Sequence, residues 1–256
     1  MTKQFVIEGV KEAVGPEEWQ VRTELAACYR MMAHHGWDDW VYTHISARVP
    51  GTDHFLINPF GLMFEEVTAS NLVKIDMDGN KVMDNPWPVN KAGFVIHSAV
   101  HAGDPNAHCV IHLHTDYGIA VSNLKDGLLP MFQTAIIGWA IVGYHDFQGL
   151  AVRDEEKESL AADLEGKKAL LLRNHGTLSV GASVGEAYQW MYLLERACKA
   201  QILSQSTGLP ITPVTEEAIQ NTINDAMSVP DESVEGFKPF DAVMRKVDRI
   251  NPGYRD

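Results

Sequence analysis

The sequence predicts a layered α/β or α+β domain built around a largely antiparallel or mixed sheet. Short strand-like runs alternate irregularly with helix-like segments along the chain. Many connections between the strand-like runs are shorter than the dozen or more residues that a parallel crossover requires. The 256 residues are 45% hydrophobic and contain no clear linker, so we expect residues 1–256 to form a single domain.

The elements of the first half follow from helix boundaries and turn residues. Pro16 begins a helix that Gly36 ends. A Pro50-Gly51 turn separates two strand-like runs, and a proline-rich loop leads into a second helix. Strands are predicted over residues 42–49, 55–58 and 72–77, and the second helix is predicted over residues 93–102.

Apolar runs and one capping box define the elements of the second half. Strands are predicted over residues 110–114, 131–137, 140–142 and 169–172, and helices over residues 117–122 and 154–164. The Ser183-x-x-Glu186 pattern is a capping box, which predicts the start of a long helix that ends before Gly208.

Charge and cysteine usage exclude several classes of function. A net charge of −13 argues against a nucleic-acid partner. The N-terminus does not resemble a signal peptide, and no apolar run approaches the length of a membrane helix. Cys28, Cys109 and Cys198 lie in apolar segments without CxxC spacing, which is typical of reduced, buried thiols. We therefore expect a cytoplasmic protein that binds no membrane.

His112 and His114 are the most informative pair of residues in the chain. They lie in the apolar run VIHLH, and residues two apart on a strand share one face. Their Cα atoms are then about 6.5–7 Å apart, close enough to bind one metal ion. Ile111 and Leu113 point to the opposite face, into a core.

His175 is the third candidate ligand, because it directly follows the apolar strand at residues 169–172. Three neutral imidazoles with one open position commonly hold a catalytic divalent metal. The alternative is that the three histidines are polar residues at strand ends, each satisfied separately by hydrogen bonds.

The motifs together resemble the class II aldolase/adducin family. The resemblance covers about residues 20–205, leaving a tail over 212–256, and is carried by the runs THISAR, FLINPFG, VIHLH and RNHG at residues 43–48, 55–61, 110–114 and 173–176. It implies a three-layer α/β/α sandwich around a mostly antiparallel sheet. It also implies that His112, His114 and His175 bind a divalent ion, zinc before manganese, cobalt or iron. Family aldolases are commonly fourfold tetramers with sites at subunit interfaces, so a homotetramer is expected.

The chain departs from the sugar-phosphate aldolases where those enzymes bind phosphate. His44 replaces an Asn, Phe60 occupies a turn position of a small polar residue, and Lys91-Ala92 replaces a serine pair. The resemblance makes His44, Asn58, Phe60 and Lys91 the candidate substrate-binding residues. Since small phosphate donors are lost, we expect a small, unphosphorylated substrate.

The acid/base residues of the aldolases are also replaced in this chain. Their proton-carrying Glu corresponds to Gly93 here, and a catalytic Tyr corresponds to about Thr134. His97 lies one helical turn after Gly93 and is the candidate catalytic proton carrier. A structural role, with His97 bonding a backbone carbonyl, is the alternative. Decarboxylation and retro-aldol cleavage both pass through an enolate that a metal stabilises, and decarboxylation depends least on the missing Glu.

The sequence therefore predicts a metal-dependent carbon–carbon lyase acting on a hydroxy or oxo acid. Phe60, Trp87 and Phe94 either line a pocket for an aromatic substrate or belong to the core. The basic, aromatic residues at the C-terminus either fold over the site or are solvated: Arg245, Lys246, Arg249, Tyr254 and Arg255. A non-catalytic, adducin-like scaffold and a metal-dependent epimerase are the alternative functions.

Overall fold

A mixed seven-stranded sheet forms the centre of the molecule. The computed structural model describes residues 5–149, 155–228 and 238–256, and only the backbone of residues 91, 92, 95, 155, 156 and 227. The strands are β1 His44–Arg48, β2 Phe55–Ile57, β3 Val73–Ile75, β4 Cys109–Leu113, β5 Val142–His145, β6 Ala169–Leu172 and β7 Gly176–Gly181. Their order is β3-β2-β1-β4-β7-β6-β5, and each neighbouring pair is antiparallel except β5 and β6. The predicted sheet class is confirmed.

Helices cover both faces of this sheet. They are α1 Val10–Ala13, α2 Pro16–His35, α3 Lys91–Gly103, α4 Asp116–Ser122, α5 Gln133–Ile141, α6 Glu155–Leu164, α7 Val184–Gln205, α8 Glu216–Ser228 and α9 Pro239–Ile250. Ile111 and Leu113 of β4 pack in a cluster with residues of α2, α7 and α9. Val110, on the other face, packs in a cluster with residues of α3 and α6. The three-layer sandwich is therefore confirmed, with Ile111 and Leu113 in the core as predicted.

The strongest boundary signals in the sequence are confirmed. Pro16 is at the first turn of α2, and Gly36 adopts a left-handed φ of 66° while its N–H bonds the last turn. At α7 the Ser183 hydroxyl accepts a hydrogen bond from the Glu186 N–H. Both signals act within a few residues, so they do not depend on the rest of the fold.

Two predicted strands are wrong. Residues 131–137 and 140–142 were predicted as strands, but helix α5 covers most of this stretch and β5 begins only at Val142. The apolar residues run around the whole helix, and a short apolar run has the same appearance in a buried strand and a buried helix. Strand β7 and helices α8 and α9 were not predicted.

The C-terminal segment is part of the core. It is therefore neither solvated nor folded over the histidine site, the two states expected from the sequence. Helix α9 packs on α2 and α7, and Phe240 and Tyr254 are buried in the same cluster as α2. The Arg30 guanidinium donates to Oδ1 of Asn251 at 2.7 Å, and the Ala69 N–H donates to the Tyr254 carbonyl at 2.8 Å. Among the basic residues, Arg245, Arg249 and Arg255 remain exposed.

Buried thiols agree with the cysteine pattern. Cys28, Cys109 and Cys198 are buried and free. In the described ranges, no helix has the length and apolarity that a membrane span requires.

Replacing Phe240 with Ala tests the docking of α9. Phe240 is 7% exposed and packs edge-on against Tyr188 at 5.6 Å between ring centroids. We expect Phe240→Ala to lower the free energy of unfolding by about 3 kcal/mol, because it leaves a cavity. Ile250→Ala, on the exposed side of the same helix, is the control with a loss under about 1 kcal/mol. Equal denaturant midpoints for both variants would show that α9 is not part of the folded core.

Candidate metal centre

Three imidazoles converge at the end of strand β4. His112, His114 and His175 each offer one ligand nitrogen, and these nitrogens lie within 4.8 Å of one another. Nε2 of His112 is 3.0 Å from Nε2 of His114, and the His175 ring centroid is 4.8–4.9 Å from both other rings. The pair predicted from strand spacing and the loop histidine therefore meet at one point.

Hydrogen bonds on the opposite ring nitrogens determine how the first two rings face each other. Nδ1–H of His112 donates to the Thr177 carbonyl at 3.0 Å, and Nδ1–H of His114 donates to the Asp39 carboxylate at 2.9 Å. In a neutral imidazole the other nitrogen then carries a lone pair. Two Nε2 lone pairs thus point at each other across 3.0 Å.

This arrangement fits a divalent cation. Facing lone pairs repel unless a cation lies between them, and Nδ1–H bonds to a carboxylate and a carbonyl are the usual support of metal-binding histidines. Burial lowers the pKa of His112 well below its usual range and that of His175 to about 4, with neighbouring histidines adding to both shifts. Both rings are therefore neutral near pH 7, the form that binds metal. Three imidazoles with one open position suit a catalytic divalent metal.

Backbone strain is concentrated beside these ligands. Among the described residues, only two that are not glycine have a positive φ: Trp40, with 50°, and Asn174, with 56°. Asn174 precedes His175, and Trp40 follows Asp39. Asn tolerates the left-handed region, whereas a bulky residue such as Trp is a genuine outlier there. Strained positions of this kind cluster at functional sites.

A chain of buried polar side chains adjoins the cluster. The His44 ring lies against that of His112, with 5.2 Å between centroids, and its Nδ1 is 2.9 Å from Nε2 of His97. Nδ1 of His97 contacts the Ser46 hydroxyl at 2.5 Å, and the same hydroxyl contacts Nε2 of His101 at 2.7 Å. His44 thus separates His97 from the ligand His112. Burial lowers the pKa of His44 to about 3 and that of His97 well below its usual range.

Gly93 leaves space for the His44 ring. A Cβ at this position would overlap both Nε2 and Cδ2 of His44. No side chain larger than a hydrogen can therefore stand at position 93 while His44 keeps this orientation. Residue 93 and the His44 ring are thus coupled by volume.

The other candidate substrate residues lie at the edge of this region. The Asn58 side chain is buried, with Oδ1 2.9 Å from the Tyr29 hydroxyl, and the Phe60 N–H donates to the Pro88 carbonyl. None of the hydrogen bonds and ring contacts of the described residues joins Asn58 or Phe60 to the histidine cluster. Lys91 is the first residue of α3, and its side chain lies outside the described part of the structure. Their roles, like that of His97, stay predictions.

Two of the three aromatic residues, Trp87 and Phe94, follow the core alternative. Trp87 and Phe94 lie against the hydrophobic cluster of β2 and β3. A different ring, that of Phe147, lies 6.5 Å from His175 between centroids. Trp40 follows Asp39 in the chain, and Trp40 and Tyr42 are 60% and 50% exposed.

Several supporting residues carry no signal in the sequence. Asp39 is 75 residues from its partner His114, and Thr177 is 65 residues from His112. Glu195 of α7 lies behind Thr177, 3.2 Å from its hydroxyl. Desolvation by burial raises the pKa of Glu195 to about 7. Only the folded chain brings these residues to the site.

A family model for the class II aldolase and adducin N-terminal domain matches residues 23–202. The chain belongs to the class II aldolase and adducin family. This match includes the three candidate ligands together with His44 and His97.

Proteins named as class 2 aldolases and proteins named as adducins are both similar to this chain. A Caulobacter vibrioides protein, provisionally named as a class 2 aldolase, is 48% identical over 248 residues and covers 96% of both chains. Mouse alpha-adducin is 41% identical over 249 residues, which are 92% of this chain but 34% of that protein. The crystal structure of an aldolase II superfamily protein from Pseudomonas syringae superposes with a TM-score of 0.88 at 46% identity, covering 96% of this chain and 99% of that one.

Asp39→Asn tests the support of the metal ligands in this family member. The variant loses the carboxylate that holds His114, so we expect a zinc affinity about 10- to 100-fold weaker, measured by competition with a chelating dye. Asp38→Asn is the matched control, since no hydrogen bond joins Asp38 to a described histidine. Zinc affinities that agree for wild type and Asp39→Asn would contradict the assignment of Asp39.

Glu195 predicts a pH dependence of stability. Its folded pKa of about 7 lies above the ordinary value of 4.5, so between these pH values the folded chain retains a proton that the unfolded chain releases. The contribution of Glu195 to stability therefore falls as pH rises through this window, by about 3 kcal/mol in total. We expect Glu195→Gln to remove this loss, measured by urea unfolding from pH 4.5 to 8. The exposed Glu217→Gln should keep the wild-type dependence, and a wild-type slope in Glu195→Gln would refute the shift.

Proposed function

We propose that this chain is a metal-dependent lyase that cleaves a carbon–carbon bond in a small, unphosphorylated hydroxy or oxo acid. The observation that carries the proposal is the pair of Nε2 atoms of His112 and His114, 3.0 Å apart, with His175 beside them. Decarboxylation is the preferred reaction and retro-aldol cleavage the second. Zinc is the preferred metal.

The bound cation would supply an electrophile that polarises a carbonyl or hydroxyl oxygen and accommodates developing negative charge. The protein's part is to hold the ligand nitrogens unprotonated. Thr177 and Asp39 do this through the two Nδ1–H bonds. The half-buried position of His114 leaves a path for a small substrate from solvent.

The proton chemistry supports carboxyl loss. A retro-aldol reaction or an epimerisation needs a base for a proton of the substrate, and the family's Glu position is a glycine packed against His44. Decarboxylation needs only a later proton donor. His97 is hydrogen-bonded to His44, which lies against His112, and we propose that these two imidazoles replace the carboxylate.

The surroundings of the ligands favour a substrate without phosphate. His44 stands where the aldolases have a small amide, and its pKa of about 3 leaves it without positive charge for an anion. The ring of Phe147 beside His175 suits a flat or aromatic acid. A homotetramer in which the exposed Trp40 and Tyr42 contact a neighbouring subunit is part of the proposal, as is a cytoplasmic location.

A non-catalytic scaffold is the second candidate, because mouse alpha-adducin matches 92% of this chain. By resemblance, adducin heads lack an intact metal triad, whereas this chain keeps all three histidines in one cluster. The intact cluster is why we prefer the lyase.

His114→Ala separates the two functions. We expect the zinc-, manganese-, cobalt- or iron-loaded protein to release carbon dioxide from hydroxy-aromatic acids, or an aldehyde from hydroxy-ketones or hydroxy-acids. The variant should lose more than about 100-fold in kcat/KM because one of three ligands is gone. Its thermal unfolding should change little, since His114 is only half buried.

The exposed His108, immediately before β4, provides the control His108→Ala with wild-type activity. A wild-type protein that binds none of these metals stoichiometrically would favour the scaffold. Full activity of His114→Ala would make the site assignment wrong.

A further inference from the structure

A cavity of about 360 Å³ lies between the end of α2, the start of α4 and the middle of α7. This volume is typical of sites for small molecules, which measure about 300–1,000 Å³. Its floor includes Glu195, which bonds the Thr177 hydroxyl. Thr177 pairs with Leu113, and both side chains point to the face of the sheet opposite to His112. The cavity is therefore separate from the metal centre, and none of the described residues that line it is a candidate metal ligand.

The floor of this cavity is a buried carboxyl group without a cation. Glu195 is 3% exposed, and the Thr177 hydroxyl donates to its Oε1 at 3.2 Å. Burial raises the pKa of Glu195 and the hydroxyls of Thr115 and Thr177 lower it, but no positive charge in the part of the chain that the structure describes contributes. Buried carboxylates are almost always paired with a cation. A positively charged group that entered the cavity would supply this pair.

Aromatic rings form the walls of the cavity. Trp37 and Tyr192 line it with their ring centroids 6.1 Å apart, and Tyr117 lines it from α4. Aromatic faces attract an ammonium group and also pack against a flat apolar side chain. The walls therefore add to the preference of the Glu195 carboxyl for an amine.

The mouth of the cavity carries a net positive charge. Arg196, Lys199 and Asp116 line it and are exposed, whereas Glu195 is buried. Nζ of Lys199 lies over the Tyr117 ring, 5.4 Å from its centroid. No hydrogen bond or ion pair of the described residues uses the Arg196 guanidinium, so this group is available for an anionic group of a bound molecule. The cavity thus presents a negative group at its floor and a net positive charge at its mouth.

We propose that this cavity is a binding site for an aromatic amino acid. The ammonium group of the ligand pairs with the Glu195 carboxyl, and its carboxylate pairs with the Arg196 guanidinium. Its ring packs against Trp37 and Tyr192. A simple amine would leave Arg196 without a partner, and a simple acid would bring a second carboxylate to Glu195. The site does not depend on the proposed lyase function.

Three small molecules that differ in their charged groups test the site by titration calorimetry on the full-length chain at pH 8. L-Phenylalanine carries both charges, phenethylamine only the ammonium group and 3-phenylpropionate only the carboxylate. We expect phenethylamine to bind about 2- to 5-fold more weakly than phenylalanine, the value of an exposed ion pair. We expect 3-phenylpropionate to bind at least about 10-fold more weakly, the value of a charged hydrogen bond. A wild-type protein that does not bind phenylalanine, or binds 3-phenylpropionate equally well, would overturn the proposal.

Glu195→Gln keeps the shape of the floor and removes its charge. We expect the affinity for phenylalanine to fall about 10- to 100-fold and the preference over 3-phenylpropionate to be lost, because the ammonium group has no carboxylate to pair with. Glu217→Gln, on the exposed surface of α8, is the matched control and should keep the wild-type affinities. Equal affinities for phenylalanine in wild type and Glu195→Gln would refute the role of Glu195.

Arg196→Gln tests the mouth at an exposed position, where a substitution leaves the core intact. We expect phenylalanine to bind about 2- to 5-fold more weakly, without a loss of affinity for phenethylamine, which has no carboxylate. Arg249→Gln, exposed on α9, is the control with wild-type affinities. An unchanged affinity for phenylalanine in Arg196→Gln would refute the carboxylate contact.

His114→Ala distinguishes this cavity from the metal centre, because an amino acid also chelates metal ions. The variant breaks the histidine cluster and leaves the cavity lining unchanged. We therefore expect it to bind phenylalanine as wild type does. A lost affinity would place phenylalanine at the metal centre and overturn the proposal.

Discussion

The antiparallel register of β4 between β1 and β7 is the constraint on which the site and the core both depend. It pairs His112 with His44 on one side and with Leu178 on the other. Because side chains alternate between faces, a shift of one residue would turn His112 into the cluster of α2 and α7 and bring Ile111 to the metal side. The apolar face of the same strand therefore maintains the register that assembles the polar face.

The surroundings of the ligands show how polar groups are accommodated in this interior. The buried imidazoles of His44 and His97 bond each other. The main-chain carbonyls of Thr177 and Ala107 accept from His112 and His101. Carbonyls cannot change their role, so they impose an orientation and a proton position on the rings attached to them. The strained backbone at Trp40 and Asn174 adds conformational rigidity next to Asp39 and His175.

Two of the departures from the aldolase pattern, at residues 44 and 93, are linked by packing. By resemblance, Gly93 and His44 are two separate departures in the sequence, but a side chain at 93 and the His44 ring compete for the same space. The two departures are thus coupled by volume. The resulting site has three converging histidines with a fourth imidazole, His44, beside them.

The sequence by itself determined features that depend on neighbouring residues, namely the ends of α2 and α7 and the strand that positions His112 and His114 on one face. Period-two alternation and capping act locally, so they can be recognised in one dimension. Helix α5 shows the limit of such local patterns, because an apolar run does not reveal its period.

Only the tertiary structure decided which residues support the ligands and how the rings are oriented. Asp39 and Ser46 have no distinctive local pattern, and both lie on segments that folding brings beside histidines more than 50 residues away. The docking of α9 and Tyr254 depends in the same way on a surface made by α2 and the loop before β3. Such contacts arise from packing between distant segments, and packing has no period in the sequence.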